Sequence, residues 1–194
     1  DINLEDYTLD IKKLEDLLIK YKRAGKKVKA VIVTDYAGHP ADWINLYRLK
    51  KKYKFKLVND NCHAVGASIN KDRGYAVKFA DLVSLSFHPV KHLTTAEGGA
   101  VLTNNKSYAD KISLLRSHGV KRPKKKLDKI GLWYQEMIDL GYNYRLSDVQ
   151  AALGVSQINR LEKFLKKRKF IANFYDKIFS NDKKFKVPKV RKNF

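Results

Sequence analysis

The chain is poor in cysteine, in long apolar runs and in acidic residues, and each shortage excludes a class of protein. One cysteine, Cys62, among 194 residues excludes an intrachain disulfide and favours a reducing compartment, so we expect the cytoplasm. No apolar run approaches the length of a membrane span, and the first residues do not resemble a signal peptide. We therefore expect no membrane partner, and a chain of this length can bury the core of one domain.

Acidic residues are about half as frequent as basic ones. The chain has 41 Lys+Arg against 20 Asp+Glu, a formal net charge of +21. Such an excess can favour nucleic acid or an anionic membrane surface. However, the basic residues are interspersed with acidic ones on the polar sides of predicted helices, and no nucleic-acid-binding module is recognisable. We expect solvated lysine-rich faces and no nucleic-acid partner; the densest stretches are residues 50–52, 124–126 and 166–169.

Short apolar runs alternate with helical patterns in the first half of the chain, which predicts an α/β fold whose sheet carries helices on both faces. Asp10 is expected to cap a helix, and Pro40 to occupy the first position of a second one. The apolar face of the first helix would be Leu14, Leu17, Leu18 and Tyr21, and that of the second Trp43, Leu46 and Tyr47. The predicted strands are residues 29–34, 56–59, 82–87 and 100–103.

The second half of the chain is predicted to be helical. A helix is expected from Ser107 to near Gly119, followed by a polar and basic loop over residues 120–131. Ser147 and Gln150 have the spacing of a capping box. A long amphipathic helix is expected over residues 159–179.

Residues 86–99, SFHPVKHLTTAEGG, contain the feature most indicative of function. Lys91 follows a predicted strand and a proline turn, and the pair Gly98–Gly99 then precedes the next strand. In α/β sheets ligands bind at the carboxyl ends of strands. A lysine there can form a Schiff base with a carbonyl, provided that its surroundings lower its pKa. Considered alone, a lysine in so basic a chain is far more commonly a solvated surface charge.

Four segments together resemble the DegT/StrS-type nucleotide-sugar aminotransferases, which use pyridoxal 5'-phosphate (PLP) to aminate keto-sugars. They are residues 35–40 (DYAGHP), 60–67 (DNCHAVGA), 86–99 and 141–154 (GYNYRLSDVQAALG). Their order and spacing match across nearly the whole chain, and the likeness is greatest to the branch that aminates a UDP-4-keto-6-deoxy-N-acetylhexosamine. Family members are considerably longer, so we expect a piece that lacks the N-terminal phosphate-binding turn and the end of the small domain.

The resemblance implies an aspartate-aminotransferase-like, type I PLP-transferase fold. Residues 1–157 would belong to the large PLP-binding domain, a three-layer αβα sandwich. Residues 158–194 would form the linking helix and the start of the small C-terminal domain.

The resemblance also implies a role for four residues around the cofactor. Lys91 would attach the cofactor, and Asp60 would keep its ring nitrogen protonated so that the ring can accept electrons. His63 would lie beside the phenolic oxygen, and Ser86 would offer its hydroxyl to the phosphate. From the residues alone, Asp60 fits a turn or helix cap equally well, His63 a satisfied buried imidazole and Ser86 an ordinary strand end.

Two further pairs are candidates by resemblance. Asn143 would reach across a dimer interface to the phosphate of the neighbour's cofactor, with Arg145 close by. From the residues alone, Asn143 fits a loop position that tolerates left-handed geometry. Tyr36 and His39 are weaker candidates for the substrate side.

No metal site is predicted, although Asp60, Cys62 and His63 lie close together in the sequence. Two contiguous ligands plus one more do not give a closed tetrahedral set. Cys62 is expected to be a small buried apolar residue.

The implied activity is transamination of a UDP-4-keto-6-deoxy-N-acetylhexosamine, with glutamate as amino donor, in a homodimer whose subunits share active sites. Two alternatives stay open. One is a PLP-dependent sugar dehydratase of the same fold, against which Lys91 counts because those relatives replace this lysine, typically with histidine. The other is a non-catalytic remnant or basic binding module, which the charge and the incomplete length favour.

Overall fold

A four-stranded mixed sheet forms the centre of the structure. The structure is a computed structural model and describes residues 1–123 and 129–194. Its strands are β1 (Ala30–Thr34), β2 (Lys56–Asp60), β3 (Leu82–Ser86) and β4 (Gly99–Leu102), in the spatial order β1-β2-β3-β4. The first three strands are parallel, and β4 is antiparallel to β3. The α/β prediction is therefore confirmed, and each predicted strand is present to within one residue at either end.

The helices of the described residues are α1 (Ile11–Arg23), α2 (Trp43–Tyr53), α3 (Tyr75–Phe79), α4 (Lys106–Arg116), α5 (Asp148–Ile158) and α6 (Leu161–Phe179). A 3₁₀ turn covers Tyr36–Gly38, directly after β1. Two short strands, β5 (Val120–Lys121) and β6 (Glu136–Met137), pair with each other in antiparallel fashion. Among the described residues, no helix combines the length and apolar character needed to cross a membrane.

The apolar core lies against one face of the sheet, because side chains alternate between faces along a strand. Val33 of β1 is 1% exposed, whereas its neighbour Ile32 is 69% exposed. The buried cluster joins this face to three helices through Leu18 of α1, residues Trp43, Leu46 and Leu49 of α2, and Tyr75 of α3. This packing of the sheet against the helices also supports the edge at which the parallel strands end.

Helix α1 begins as predicted but packs along a narrower stripe than its sequence indicates. The side chain of Asp10 accepts a hydrogen bond from the Lys13 N–H, which is a normal N-cap. On the predicted apolar face Leu18 is buried, whereas Leu17 and Tyr21 are 45% and 37% exposed. The reason is that α1 lies at the margin of the core, where only part of its apolar face finds partners.

Helix α2 begins three residues later than predicted. Asp42 is its N-cap and accepts from the Asn45 N–H at 3.1 Å, so Pro40 lies outside the helix and the prediction for it is wrong. The cause is a long-range contact: the N–H of Ala41 donates to the carboxylate of Asp35 at 2.8 Å. That bond holds the chain in a non-helical path until Asp42.

The second half of the chain follows the predicted order with adjusted limits. Asn105 caps α4, which ends at Arg116, and α6 begins at Leu161. The capping box of Ser147 and Gln150 is confirmed, with both reciprocal bonds present. The predicted loop over residues 120–131 contains β5, and its residues 124–128, including one lysine-dense stretch, lie outside the described residues. The boundary between domains at residue 157 falls beside the junction of α5 and α6 and stays a prediction.

Candidate active site

The three parallel strands end at one edge of the sheet and bring polar residues together there. Their register pairs Thr34 with Asp60, and Asp60 with Ser84. The residues that follow each strand therefore gather at this edge, the usual place for a ligand in an α/β sheet. Lys91 follows Ser86 at the end of β3 and belongs to the same edge.

Asp60, at the end of β2, is held in its ionised form. One carboxylate oxygen accepts the Cys62 N–H at 3.2 Å, and the Thr34 hydroxyl lies 3.4 Å from the other. Partial burial opposes ionisation, but hydrogen bonds from Cys62 and Thr34 and the nearby His63 outweigh it and hold the pKa of Asp60 below its usual value. Asp60 thus offers an anion with one oxygen only weakly engaged.

Behind Asp60 lies Asp35, which is 0% exposed. One of its oxygens accepts from the Ala41 N–H and the Trp43 indole at 2.8 and 2.7 Å. The other accepts from Asn59, Asn61 and the Tyr75 hydroxyl at 3.0, 2.8 and 2.8 Å. Sequence reasoning included Asp35 in a family segment and gave it no role. Asn59 and Asn61 flank Asp60 at the end of a strand, and their amide groups need a hydrogen-bond acceptor when buried. This pattern in the sequence could have indicated a buried carboxylate nearby.

The turn that carries Lys91, here called the lysine turn (residues 87–98), is closed by its own backbone. Phe87 donates to the Gly98 carbonyl at 2.8 Å, and its own carbonyl accepts the Thr95 N–H at 3.0 Å. A Cβ on Gly98, whose φ is +154°, would contact the Thr95 hydroxyl, and one on Gly99 would lie 2.6 Å from the Leu85 carbonyl oxygen. The glycine pair thus lies where the backbone passes too closely for a side chain.

Helix α5 packs against the far side of the lysine turn. The Gln150 amide donates to the Glu97 carbonyl at 2.9 Å. Gly154 is buried in the middle of α5, and a Cβ there would lie 2.9 Å from Cγ2 of Thr95. The absence of a side chain at Gly154 lets the helix approach the turn.

Lys91 is half-buried and shares its neighbourhood with Cys62, His63 and His92. Burial raises the pKa of the Cys62 thiol, against the opposing charge of Lys91. Burial also lowers the pKa of His92, and the charges of Arg168, His63 and Lys91 add to this effect. The predicted cofactor residues Lys91, Asp60 and His63 therefore lie at one site.

Cys62 is not the buried core residue that was predicted. It is half-buried, and its sulfur lies 3.7 Å from the Ser84 carbonyl oxygen at the edge of the sheet. The physical reason is its position in the turn after β2, directly beside Asp60, where the chain has left the packed face of the sheet.

The other candidates from the first half of the chain are placed differently. Ser86 lies at the end of β3, and its hydroxyl is 3.4 Å from the His88 N–H. The Tyr36 ring lies 6.2 Å from that of His63, so it borders the site. His39 instead packs against Phe194, with ring centroids 5.8 Å apart, and burial lowers its pKa. The structure thus places Tyr36 beside His63 and His39 beside the C-terminal segment.

Asn143 and Arg145 are both exposed. Asn143 forms an isolated antiparallel bridge with Ser117, beside the stacked rings of Tyr142 and Tyr144, whose centroids are 5.0 Å apart. No hydrogen bond or ion pair between described residues joins Asn143 or Arg145 to Lys91 or Asp60. Arg145 borders an open, mainly apolar cleft of about 1310 Å³ between β3, β4 and α4, which Lys91 does not line.

The donor set at this edge fits PLP. An amine, a carboxylate held ionised, a hydroxyl and an imidazole are the groups that the aldehyde, the ring nitrogen, the phosphate and the ring of this cofactor require. By contrast, residues 1–123 and 129–194 hold no group of three or more His, Cys, Asp or Glu side chains that could bind a metal ion.

Comparison with known proteins agrees with this geometry. The chain belongs to the DegT/DnrJ/EryC1/StrS aminotransferase family, whose model matches residues 1–193. It is 44% identical over 186 residues, 96% of its length, to the UDP-4-amino-4,6-dideoxy-N-acetyl-beta-L-altrosamine transaminase of Campylobacter jejuni.

Solved structures give the same result for the fold. Helicobacter pylori PseC, an aminotransferase involved in the biosynthesis of pseudoaminic acid, superposes with a TM-score of 0.81 at 32% identity, over 93% of this chain and 45% of its own. A GDP-4-keto-6-deoxymannose-3-dehydratase superposes with a TM-score of 0.80 at 24% identity, over 93% of this chain and 47% of its own, which is a likeness of fold alone.

The chain spans about half the length of the curated relatives it matches, for example 46% of the Campylobacter jejuni transaminase.

Proposed function

We propose that this chain is the lysine-bearing part of a PLP-dependent aminotransferase that transfers an amino group to a UDP-4-keto-6-deoxy-N-acetylhexosamine. The observation that carries the proposal is the meeting of Lys91, the ionised Asp60 and His63 at the carboxyl edge of the parallel strands. The 44% identity to a transaminase named for such a sugar supports the choice of substrate.

The residues of this chain would divide the work as follows. PLP, when bound, supplies an electron sink and a carrier for the amino group. Asp60 would keep a proton on the ring nitrogen, because its own pKa is held low and an anion there stabilises the pyridinium. Lys91 would hold the cofactor and then move a proton at the substrate carbon. The Ser86 hydroxyl would bind the phosphate.

The proposal includes glutamate as amino donor, a homodimer with shared sites and a cytoplasmic location. The exposed positions of Asn143 and Arg145 suit residues that act in a partner's site. The single half-buried cysteine suits a reducing compartment.

The test uses the full-length protein with Lys91→Ala, and Lys27→Ala as a matched control on an exposed surface. Lys91→Ala is expected to lose the visible absorbance of bound PLP and the glutamate-dependent amination of the keto-sugar, whereas Lys27→Ala retains both. Near wild-type transamination by Lys91→Ala would refute the assignment. Cofactor binding together with sugar dehydration and no amination would favour the dehydratase.

A further inference from the structure

Helix α6 contacts the lysine turn at Val90 and Lys91 through one arginine, Arg168. Nη2 of Arg168 donates to the carbonyl oxygens of Val90 and Lys91 at 3.1 and 3.2 Å. These two carbonyls lie on either side of the Lys91 Cα in the chain. The guanidinium therefore contacts both peptide groups that set the direction of the Lys91 side chain.

Arg168 is the last of three contacts on one side of α6. Glu162 forms a forked ion pair with Arg73, whose second N···O distance is 3.2 Å. Leu165 fills the space that a side chain at Gly66 would take. Residues three apart on a helix are neighbours on its surface. The contacts of Glu162 and Leu165 therefore help to orient α6 so that Arg168 points to the turn.

The remaining bonds of the turn show what Arg168 adds. On the other side of the same residue, the Lys91 N–H donates to the His88 carbonyl at 3.0 Å. The far side of the turn is bound to α5 through Gln150 and Glu97. Among the described residues, Arg168 supplies the hydrogen bonds to the carbonyls of Val90 and Lys91 that come from outside the turn. Both hydrogen bonds come from one guanidinium nitrogen, Nη2, so Arg168 brings a positive charge and two donors to this point of the turn.

We propose that Arg168 is a positioning residue for Lys91: by bridging the Val90 and Lys91 carbonyls from α6, it orients the lysine for attachment of the cofactor. The inference rests on the proposed role of Lys91. Attachment of the cofactor would then depend on the position of α6 relative to the turn, because a movement of α6 would change the orientation of Lys91.

The test compares Arg168→Met, Arg168→Lys and the control Lys169→Met in the full-length protein. Met keeps an apolar stem without donors, and Lys169 is the exposed neighbour without a described partner. The first readout is hydrogen–deuterium exchange of residues 87–95 without cofactor. The second is the affinity for PLP, with the attached lysine located by borohydride trapping and peptide mapping.

Arg168→Met is expected to speed exchange in residues 87–95 and to weaken PLP binding, each by about threefold, the effect of losing solvent-exposed contacts from a charged group. Arg168→Lys should recover part of both, and Lys169→Met should match the wild type. Equal exchange and equal affinity in Arg168→Met and wild type would overturn the proposal. Should Arg168→Met fail to fold, Arg168→Lys decides by the same two readouts.

Failure of the proposed function has a different signature. A wild-type protein that traps no PLP on Lys91 would refute the function, while exchange in the cofactor-free variants would still decide whether Arg168 orders the turn. Faster exchange throughout the protein, with no excess in residues 87–95, would show a general structural role and overturn the positioning role.

Discussion

The backbone N–H of Asp35 donates to the carbonyl oxygen of Asp60 at 3.0 Å, so two aspartates at neighbouring strand ends are joined directly. The Asp35 carboxylate also binds the side chains of Asn59 and Asn61, which flank Asp60 in the sequence. Three bonds from one buried residue thus fix the backbone that carries Asp60. Burial and the charge of Asp35 raise the pKa of Tyr75 far above its usual value, so its hydroxyl remains a donor to Asp35.

Removing this buried carboxylate should destabilise the protein more than any loss of a surface carboxylate. We expect Asp35→Ala to lower the free energy of unfolding by about 3 kcal/mol or more, because each buried donor left without an acceptor costs about 1–3 kcal/mol. Urea denaturation of the full-length protein measures this. Asp42→Ala, which removes the cap of α2, is the control and should cost about 1 kcal/mol. Equal losses in the two variants would contradict the central role of Asp35.

Asp60 should be needed for turnover and not for the fold. We expect Asp60→Ala to reduce the transamination rate by at least about a hundredfold, because the ring nitrogen loses the anion that keeps it protonated. Asp60→Glu should retain part of the rate. Steady-state kinetics with saturating PLP, together with a denaturation curve, separate the two effects. An unchanged rate would mean that another group serves the ring nitrogen.

Asn143 should act in the active site of the partner subunit. The reason is that Asn143 is exposed, and the resemblance of its segment to the aminotransferase family implies a contact with the partner's cofactor. In a two-fold dimer each subunit would supply Asn143 to the other. Mixing inactive Lys91→Ala protein with inactive Asn143→Ala protein should then restore part of the activity, because one site of the mixed dimer has both residues.

The control for that experiment is verified exchange of subunits, for example by mass spectrometry of differently tagged chains. Verified mixed dimers without recovered activity would show that Asn143 acts within its own chain. Full activity of the Asn143→Ala parent would show that it has no part in the reaction.

Asp81 should contribute stability that acid removes. Its carboxylate accepts the Leu57 N–H and pairs with Lys50, both at 2.8 Å. Burial opposes ionisation, but Lys50 and Leu57 outweigh it and hold the pKa of Asp81 below its usual value. A lowered folded-state pKa gives stability that is complete above the unfolded pKa of about 4 and is lost as the pH falls through the lower folded-state value.

We therefore expect Asp81→Asn to lower the free energy of unfolding by about 1–3 kcal/mol at neutral pH. The difference from wild type should shrink as the pH falls below about 4, where the carboxyl of the unfolded chain takes up a proton, and disappear below the lower folded-state pKa. Denaturation curves recorded at neutral pH and in the acidic range check this. Asp110→Asn, which breaks an exposed pair with Lys106, should change stability by less than about 0.5 kcal/mol. A difference that persists undiminished in acid would refute the ionic explanation.

A structural feature could be predicted from the sequence when the contacts that determine it join residues close together in the chain. The four strands were predictable because each is a short run of apolar and β-branched residues, and the Ser147 capping box because both partners lie within three residues. The start of α2 was not, since the Ala41 N–H is bound by Asp35, six residues away in the sequence. The pairing of β5 with β6 joins segments too short to show a pattern.

The same limit applies to the site. The grouping of Asp60, His63 and Lys91 was predicted from the family resemblance, and it agrees with the rule that ligands bind at the carboxyl ends of strands. Arg168 was not, because 77 residues separate it from Lys91 and it stands in a lysine-rich stretch that reads as a solvated face. The hub at Asp35 was only partly predictable, since its five partners come from three separate segments.

The buried glycine of α5 reverses a familiar rule of protein engineering. Replacing a glycine inside a helix by alanine ordinarily stabilises the helix by about 1 kcal/mol. At Gly154 the new methyl group would crowd Thr95, which is 2% exposed and whose hydroxyl is bound to the Glu97 carbonyl at 2.7 Å. A choice of stabilising substitutions guided by local helix propensity would therefore include Gly154→Ala, a change that pushes α5 away from the turn bearing Lys91.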